Sequence, residues 1–202
     1  GAVGSSFTFM IFITSIIYGL ALGSGSVFSI KFGQKDYQGL KKSVYSSFVL
    51  IFSVTIILNI LAYIFIDHII AFMNVPQEVF PLMKEYLIII FAGFIATSLY
   101  NYVASIYRSI GDSRTPMIFL AISVVLNIFL DYLFVKTFSM GIFGAAVATV
   151  ISQYISGLGI FAFAWIKNDD LRYKKGDTIL DIESIKEISN FSIAAGAVYF
   201  PA

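Results

Sequence analysis

Apolar residues follow one another in long, nearly unbroken stretches along this chain. A helix that crosses a bilayer needs about 20 mostly apolar residues. Strands of a membrane barrel would instead alternate apolar and polar residues over about ten positions. Five stretches are complete, at roughly 5–30, 44–66, 84–107, 116–135 and 142–166. A sixth stretch begins near Phe191. The pattern predicts an all-α, polytopic membrane helix bundle.

Composition also indicates a bilayer as the surroundings of most of the chain. Hydrophobic residues make up 58% of the 202 residues and charged residues 12%, and the mean hydropathy is +0.88. Soluble domains carry about twice that charged fraction. We therefore expect the protein in the cell (cytoplasmic) membrane. The chain opens without Met and ends inside an apolar run, "AAGAVYFPA", so we also expect a piece of a longer protein.

Several function classes find no support in the sequence. The formal net charge of +1 gives no overall basis for binding nucleic acid. The chain has no cysteine, which excludes disulfides, thiolate metal sites and a cysteine nucleophile. No HExxH, Walker A or Ser/His/Asp pattern is present. We predict a protein that is not an enzyme, with no catalytic residues and no cofactor.

Lys and Arg residues fall mainly in alternate loops. The loops 31–42, 108–115 and 167–189 hold 11 of the 13 basic residues. Because cytoplasmic loops carry an excess of Lys and Arg, these three loops are predicted to be cytoplasmic. The first span then runs from outside to inside, which implies an odd number of helices before it, most simply one.

Turn residues mark the junctions between spans. In "SIGDSRTPM", Gly111 is expected just past the end of one helix. Thr115 is expected to cap the next helix, with Pro116 in its first turn. Two stripes of small residues, each at four-residue spacing, predict close contacts between helices. The first consists of Ser15, Gly19 and Gly23, and the second of Gly144, Ala148, Ser152 and Ser156.

The long basic loop divides the chain into three parts: a transmembrane bundle (1–166), a cytoplasmic linker (167–190) and the start of a second half (191–202). Within the linker, "TILDIESIKEISN" places Ile residues at helical spacing. Thr178 and Asp181 resemble the start of a capping box. We predict a short amphipathic helix on the cytoplasmic face; the alternative is a solvated linker whose periodicity is accidental.

Asp131 is the one acidic residue well inside a predicted span, about 7 Å from its outer end at 1.5 Å per residue. Asn127 precedes it by four residues, so both share one helix face. Carboxylate and amide oxygens suit a proton or a hard cation such as Na⁺, and ionisable residues within spans are usually functional. The alternative is an interfacial aspartate that reaches the outer headgroups near Lys136.

Three segments then carry a family resemblance, in this order: "RSIGDSRTPM" (108–117), "LNIFLDYLF" (126–134) and "GIFGAAVATVISQ" (141–153). They resemble the multidrug and toxic compound extrusion (MATE) family of cation-coupled exporters. "GLALGSGSVFSIKFGQKD" is similar to that family's second helix and following loop. The resemblance implies one lobe of a two-lobe transporter: helices two to six and the start of the seventh of an N-terminal lobe, without its first helix.

The resemblance also implies site residues. Asn127 and Asp131 match a cation site on the fifth helix, and Thr149 matches its ligand on the sixth. Tyr86 matches a fourth-helix tyrosine that supports the site or lines the cavity. Na⁺ or H⁺ would bind at Asp131, Asn127 and Thr149. The family's first-helix carboxylate has no counterpart in this chain.

The function that the resemblance implies is a secondary antiporter driven by H⁺ or Na⁺. It would export amphipathic or cationic organic compounds across the bilayer, with a second lobe of the same chain as its partner. An alternative is a flippase for lipid-linked saccharides on a related fold. Its pyrophosphate-bearing substrate predicts a basic cavity, yet no Lys or Arg lies deep in a span. An inert helix bundle is a third alternative, which Asp131 at depth disfavours.

Overall fold

A computed structural model describes residues 2–167 and 178–199, with side chains over 11–167 and 178–195. Within these residues the chain forms helices and no strand. The helices are α1 (Ala2–Gly33), α2 (Tyr37–Ile64), α3 (Ile66–Phe72), α4 (Phe80–Ser109), α5 (Arg114–Asp131) with a π-helical continuation (Tyr132–Thr137), α6 (Gly141–Lys167) and α7 (Ile182–Tyr199).

Five helices of the described region are long and apolar enough to cross a membrane: Ile11–Gly33, Tyr37–Ile64, Phe80–Ser109, Arg114–Thr137 and Gly141–Lys167. They coincide with the five predicted spans, and the all-α membrane bundle is confirmed. Most are longer than the apolar runs, because polar residues at both ends continue the helical hydrogen bonding beyond the hydrocarbon-length segment.

Helix α4 is the centre of the bundle. It packs on α6, α1 and α2, whereas α5 joins the bundle mainly through α6. The helices enclose two apolar clusters. One contains Ile17, Ile70, Phe91 and Phe94, and the other contains Phe28, Ile51, Tyr102, Ile106 and Ile160.

Small residues lie where helices approach most closely, as the sequence predicts. The predicted stripe on α6 is buried: Gly144, Ala148, Ser152 and Ser156. At Gly23 of α1, an added Cβ would lie 2.6 Å from the backbone nitrogen of Ser192 on α7. The close contact of α1 is therefore made with α7.

The turn between α4 and α5 confirms one prediction and corrects another. Gly111 has φ of +88° and ends α4, in the left-handed conformation that glycine adopts without strain. The residue that caps α5 is Asp112 and not Thr115. Asp112 Oδ1 accepts from the backbone N–H groups of Arg114 and Thr115, both at 3.0 Å. Its Oδ2 accepts from the Thr115 hydroxyl at 2.7 Å.

Helix α7 differs from the predicted short helix. It begins at Ile182 and continues without a break to Tyr199, across the expected boundary between residues 190 and 191. It packs on α1 and α2, with Ser184 and Ile188 fully buried. Asp181 caps it by accepting from the Ser184 N–H at 3.1 Å. Residues 168–177, the rest of the predicted linker, lie outside the described residues.

Candidate functional site

A ladder of polar contacts joins α5 to α6. The Ser156 hydroxyl donates to the Phe119 carbonyl at 3.2 Å. One turn further along α5, the Ser123 hydroxyl donates to the Ser152 carbonyl at 3.1 Å. Asn127 lies on the next turn of α5, and Asp131 lies on the turn after that. Ser123, Asn127 and Asp131 are therefore spaced by four residues and lie on one face of α5.

Asn127 and Thr149 form the third rung. The Asn127 Nδ2 amide donates to Thr149 Oγ1 over a long 3.4 Å. The Thr149 hydroxyl itself donates to the Ala145 carbonyl at 2.9 Å. Because the hydroxyl proton is used within α6, Thr149 offers only its oxygen lone pairs to α5. The structure thus brings together these two predicted site residues.

Asp131 ends the ladder and has a buried oxygen without a partner. Its Oδ1 atom accepts no hydrogen bond from the described residues. A buried carboxylate oxygen that lacks a donor is costly, and a proton or a bound cation would remove that cost.

The helix changes its geometry immediately after Asp131. Residues Tyr132–Thr137 are π-helical, and the Phe138 N–H donates to the Leu133 carbonyl at 3.0 Å. Single π-helical turns inside α-helices are frequent at functional sites. The π-helical segment begins at the residue that follows Asp131.

Lys136 does not pair with Asp131. Its Nζ lies 4.9 Å from the centroid of the Tyr132 ring, which is a cation–π arrangement. The described residues contain no salt bridge between Lys136 and Asp131. The alternative of an interfacial aspartate that reaches the outer headgroups does not require an ion pair with Lys136 and stays an alternative.

Tyr86 lies apart from the ladder. It is half-buried against the cluster that contains Ile17 and Phe91, built by α1 to α4. Among the described residues, no hydrogen bond joins Tyr86 to Asn127, Asp131 or Thr149. Its role at the site stays a prediction.

Sequence reasoning missed part of the ladder. Ser123 stands four residues before Asn127, and the regular spacing of Ser123, Asn127 and Asp131 was the available signal. The partners on α6 could not be found this way, because two of the contacts use backbone carbonyls. Within the described residues, no group of three or more His, Asp or Glu side chains converges on a metal-type site.

Comparison with known proteins identifies the family. A family model described as MatE matches residues 1–133, which is well over half of the chain. This chain belongs to the MatE family. The match includes Asn127 and Asp131, while Thr149 lies beyond it.

A relative in Bacillus subtilis supports the assignment. The "Probable multidrug resistance protein YpnP" is 33% identical over 162 residues, which cover 80% of this chain and 36% of that protein. The chain thus spans little more than a third of this MatE relative.

Two solved structures share the fold. One shows the inward-facing conformation of a multidrug resistance MATE family transporter of the MOP superfamily, with 26% identity, a TM-score of 0.89, and coverage of 98% of this chain and 45% of that one. The other shows the outward-facing conformation, with a TM-score of 0.89 and coverage of 98% and 44%. The described helices therefore have the fold of one lobe of a MatE transporter.

Proposed function

We propose that this chain forms the N-terminal lobe of a cation-coupled antiporter that exports amphipathic or cationic organic compounds across the cytoplasmic membrane. The observation that carries the proposal is the Asp131 Oδ1 atom, which is buried and unpartnered at the end of a polar ladder. The names of similar proteins support multidrug export as the activity.

Asp131 supplies the charge of the proposed site, and Asn127 and Thr149 supply neutral oxygens. A proton would bind at the carboxylate alone. A sodium ion would bind the carboxylate together with the Thr149 lone pairs, and the Asn127 amide would turn its oxygen toward the ion. Thr149 can make this exchange readily, since its bond from Asn127 is long, at 3.4 Å, and hence weak.

Binding at Asp131 would drive transport by favouring one orientation of the two lobes. A ligand shifts a conformational equilibrium only by its difference in affinity for the two states. A cation that neutralises a buried carboxylate meets this condition when one state exposes the carboxylate to water and the other does not. The second lobe, which completes the cleft for the organic substrate, would come from the remainder of the protein.

Substitution of Asp131 by Asn in the full-length protein tests the proposal. The amide is isosteric and removes a costly charge, so the protein should insert and fold. It can neither titrate nor neutralise a cation, so ion-driven efflux should fall to background. Dye efflux from vesicles against an imposed Na⁺ or H⁺ gradient is the measurement, with the amount of protein in the membrane determined in parallel.

Two further variants make the test specific. Asp67→Asn is the matched control: Asp67 lies 2.7 Å from Lys84 in an exposed pair, and its efflux should match the wild type. Thr149→Ala should weaken ion affinity by up to about tenfold, the value of one ordinary hydrogen bond, without abolishing transport. Efflux near the wild-type rate by Asp131→Asn at equal protein amount would refute the site and leave the family assignment intact.

A further inference from the structure

A polar cavity lies between α1 and α4. Within the described part of the chain its walls come from these two helices alone, and it has a volume of about 370 Å³, inside the range of pockets that hold small organic ligands. The helices touch beside it, where a Cβ added at Gly25 would lie 3.4 Å from the Ser105 Cβ atom. The cavity is separate from the polar ladder, which lies on α5 and α6.

Three polar side chains of α4 lie on the face that lines the cavity: Asn101, Ser105 and Arg108. Steps of four and three residues keep them on one side of the helix. Arg108 is the last residue but one of α4, at the end that the Lys and Arg distribution predicts to be cytoplasmic. Asn101 stands about 10 Å deeper, at 1.5 Å per residue. The cavity therefore leads from this end of α4 into the bundle.

Arg108 is the one charged residue among the described residues that line the cavity. No hydrogen bond or salt bridge within the described ranges engages its guanidinium. Asp112, the nearest acid along the chain, is occupied by the cap of α5. The Tyr100 hydroxyl, within electrostatic reach of Arg108, is uncharged and donates to the Pro116 carbonyl at 2.8 Å. The guanidinium thus keeps its N–H donors for a ligand.

The rest of the polar wall offers hydrogen-bond acceptors. Its serines each donate the hydroxyl proton to a carbonyl of their own helix, at 2.6–3.1 Å, and they are Ser26, Ser29, Ser105 and Ser109. Asn101 is 4% exposed, and its Nδ2 group donates to the Thr97 carbonyl at 2.8 Å. Among the described residues no donor reaches the Asn101 Oδ1 atom. An unpaired amide oxygen on a buried side chain that lines a cavity indicates a ligand with an N–H or O–H group.

The two ends of the cavity therefore suit opposite groups on one ligand. The guanidinium at the mouth matches a carboxylate, because its planar fork donates to both oxygens. The deep end matches N–H donors. A phosphate fits poorly, since the lone pairs of the serines would face its oxygens. A simple cation suits the deep end but meets the charge of Arg108 at the mouth.

We propose that this cavity binds organic acids that carry an N–H group at the end remote from the carboxylate, with the carboxylate at Arg108 and the N–H group at Asn101. An uncharged amine suits the deep end, since it satisfies Asn101 without bringing a full charge into the bundle. The inference rests on the proposed function in one respect: these amphipathic acids are the substrates that the exporter takes up from the cytoplasm.

Binding of a fluorescent aminonaphthoic acid to the full-length protein in detergent tests the proposal. In this compound the amino group lies at the opposite end of the ring system from the carboxylate. Two related compounds each lack one group: the methyl ester has no charge, and naphthoic acid has no amine. Fluorescence anisotropy should show binding that is weaker by roughly tenfold or more for the ester, and by up to about tenfold for naphthoic acid.

Variants separate the two ends of the site. Arg108→Gln should lower the affinity for the aminonaphthoic acid by roughly tenfold or more, and Arg108→Lys should restore part of it, because lysine keeps the charge without the fork. Arg114→Gln is the matched control, with the same charge change at an exposed residue outside the cavity. It should bind as the wild type does.

Asn101→Leu tests the deep end, since leucine has a similar volume and no acceptor. This variant should bind the aminonaphthoic acid no better than naphthoic acid. Asn101→Ala is a smaller replacement with the same expected result, and the unfolding temperature shows whether each variant is folded. The Arg108 variants change an exposed residue and test the proposal even where both Asn101 variants unfold.

Other results would overturn the proposal. Equal affinity for the acid and its ester, or an equal loss in Arg114→Gln and Arg108→Gln, means that Arg108 does not bind the carboxylate. Equal affinity for the two acids means that the deep acceptors are not used. Absence of binding by all three compounds means that the cavity is closed in the full-length protein.

Failure of this inference and failure of the proposed function give different results. The affinities are measured at equilibrium without an ion gradient, so normal efflux by Asp131→Asn would refute the coupling and leave them intact. Binding of the aminonaphthoic acid without its efflux, by a protein that exports dye, would refute the assignment of such acids as substrates.

Discussion

Two aspartates stand at opposite ends of α5 in different surroundings. Asp112 precedes the helix and binds its first N–H groups, at 3.0 Å to Arg114 and Thr115. Asp131 ends the α-helical part and has an oxygen without a donor. A satisfied carboxylate stabilises a fold, whereas an unsatisfied buried oxygen leaves a desolvation cost. Residue identity alone does not distinguish them; the surrounding donors do.

Removal of the Asp112 cap should destabilise the protein in a pH-dependent way. The hydrogen bond from the Thr115 hydroxyl, followed by that from the Thr115 N–H, lowers the pKa of the Asp112 carboxyl. A lowered pKa in the folded state contributes stability that is complete above the unfolded value of about 3.9. This contribution is lost as the pH falls through the folded value. Asp112→Ala should therefore unfold at a lower temperature than the wild type at pH 7.

The matched control for the cap is Asp112→Asn, whose amide oxygen still accepts the N–H bonds without carrying charge. Thermal unfolding in detergent at pH 7 and at decreasing pH is the measurement. The difference between Asp112→Ala and the wild type should shrink below about pH 3.9. A difference that is constant over the whole pH range would contradict the role of the ionised carboxylate.

At the scale of elements, the crossing of α1 and α7 depends on one missing side chain. Gly23 brings the two backbones so close that an added Cβ would lie 2.8 Å from the Ser192 Cα atom and 2.6 Å from its nitrogen. The Ser192 hydroxyl oxygen lies closer still and could move aside, whereas the two backbone atoms could not. Polar contacts hold the same helix pair further along, with Lys31 and Glu187 3.6 Å apart.

Gly23→Ala should loosen this crossing. Overpacking of a close contact costs about 1–3 kcal/mol, which exceeds the gain of up to about 1 kcal/mol from the helix propensity of alanine. Gly33→Ala is the internal control, because an added Cβ there meets nothing within 4 Å. The unfolding temperature should fall for Gly23→Ala and stay level or rise for Gly33→Ala. Equal changes in both variants would mean that α7 does not depend on the close approach.

The sequence was sufficient for the spanning elements and insufficient for their junctions. In a bilayer each helix satisfies its own backbone, so apolar length alone predicted all five spans. The choice of Asp112 over Thr115 as the cap depends on a turn set by Gly111, which spacing does not show. The continuity of α7 through Asn190 depends on packing against α1 and α2, where Ile188 and Ser184 are buried. Asn127 and Thr149 are joined by a hydrogen bond and Asp131 lies one turn further along α5, but ion binding at these residues stays a prediction.

At the scale of the whole molecule, α7 forms part of the same body as the first five spans. Structures of the inward-facing and outward-facing conformations both superpose on 98% of this chain with a TM-score of 0.89. This coverage includes most of α7. We therefore expect the packing of α7 on α1 and α2 to persist in both orientations of the transporter.

A cross-link between α2 and α7 tests this expectation. The Ser43 and Ser184 hydroxyls are 3.1 Å apart and buried, and the described chain contains no cysteine to interfere. A Ser43→Cys, Ser184→Cys pair in the full-length protein, otherwise free of cysteine, should form a disulfide on oxidation and still export dye. Each single variant, treated in the same way, controls for the oxidant. Efflux that stops on oxidation and resumes on reduction would show instead that the two helices separate in each cycle.

The buried oxygen of Asp131 also has an electrical consequence. Glu85 is the other carboxylate within the described spans and is exposed, so under the proposed function the interior of the lobe would gain or lose one elementary charge when Asp131 binds or releases a cation. A charge that crosses the full membrane voltage changes in free energy by about 2.3 kcal/mol for every 100 mV, and a site part of the way across experiences a fraction of it. The neutral rungs formed by Ser123, Asn127 and Ser156 experience none. Under the proposed function, membrane voltage would therefore act on this lobe through the Asp131 carboxylate, and it would do so even when the ion concentrations on the two sides are equal.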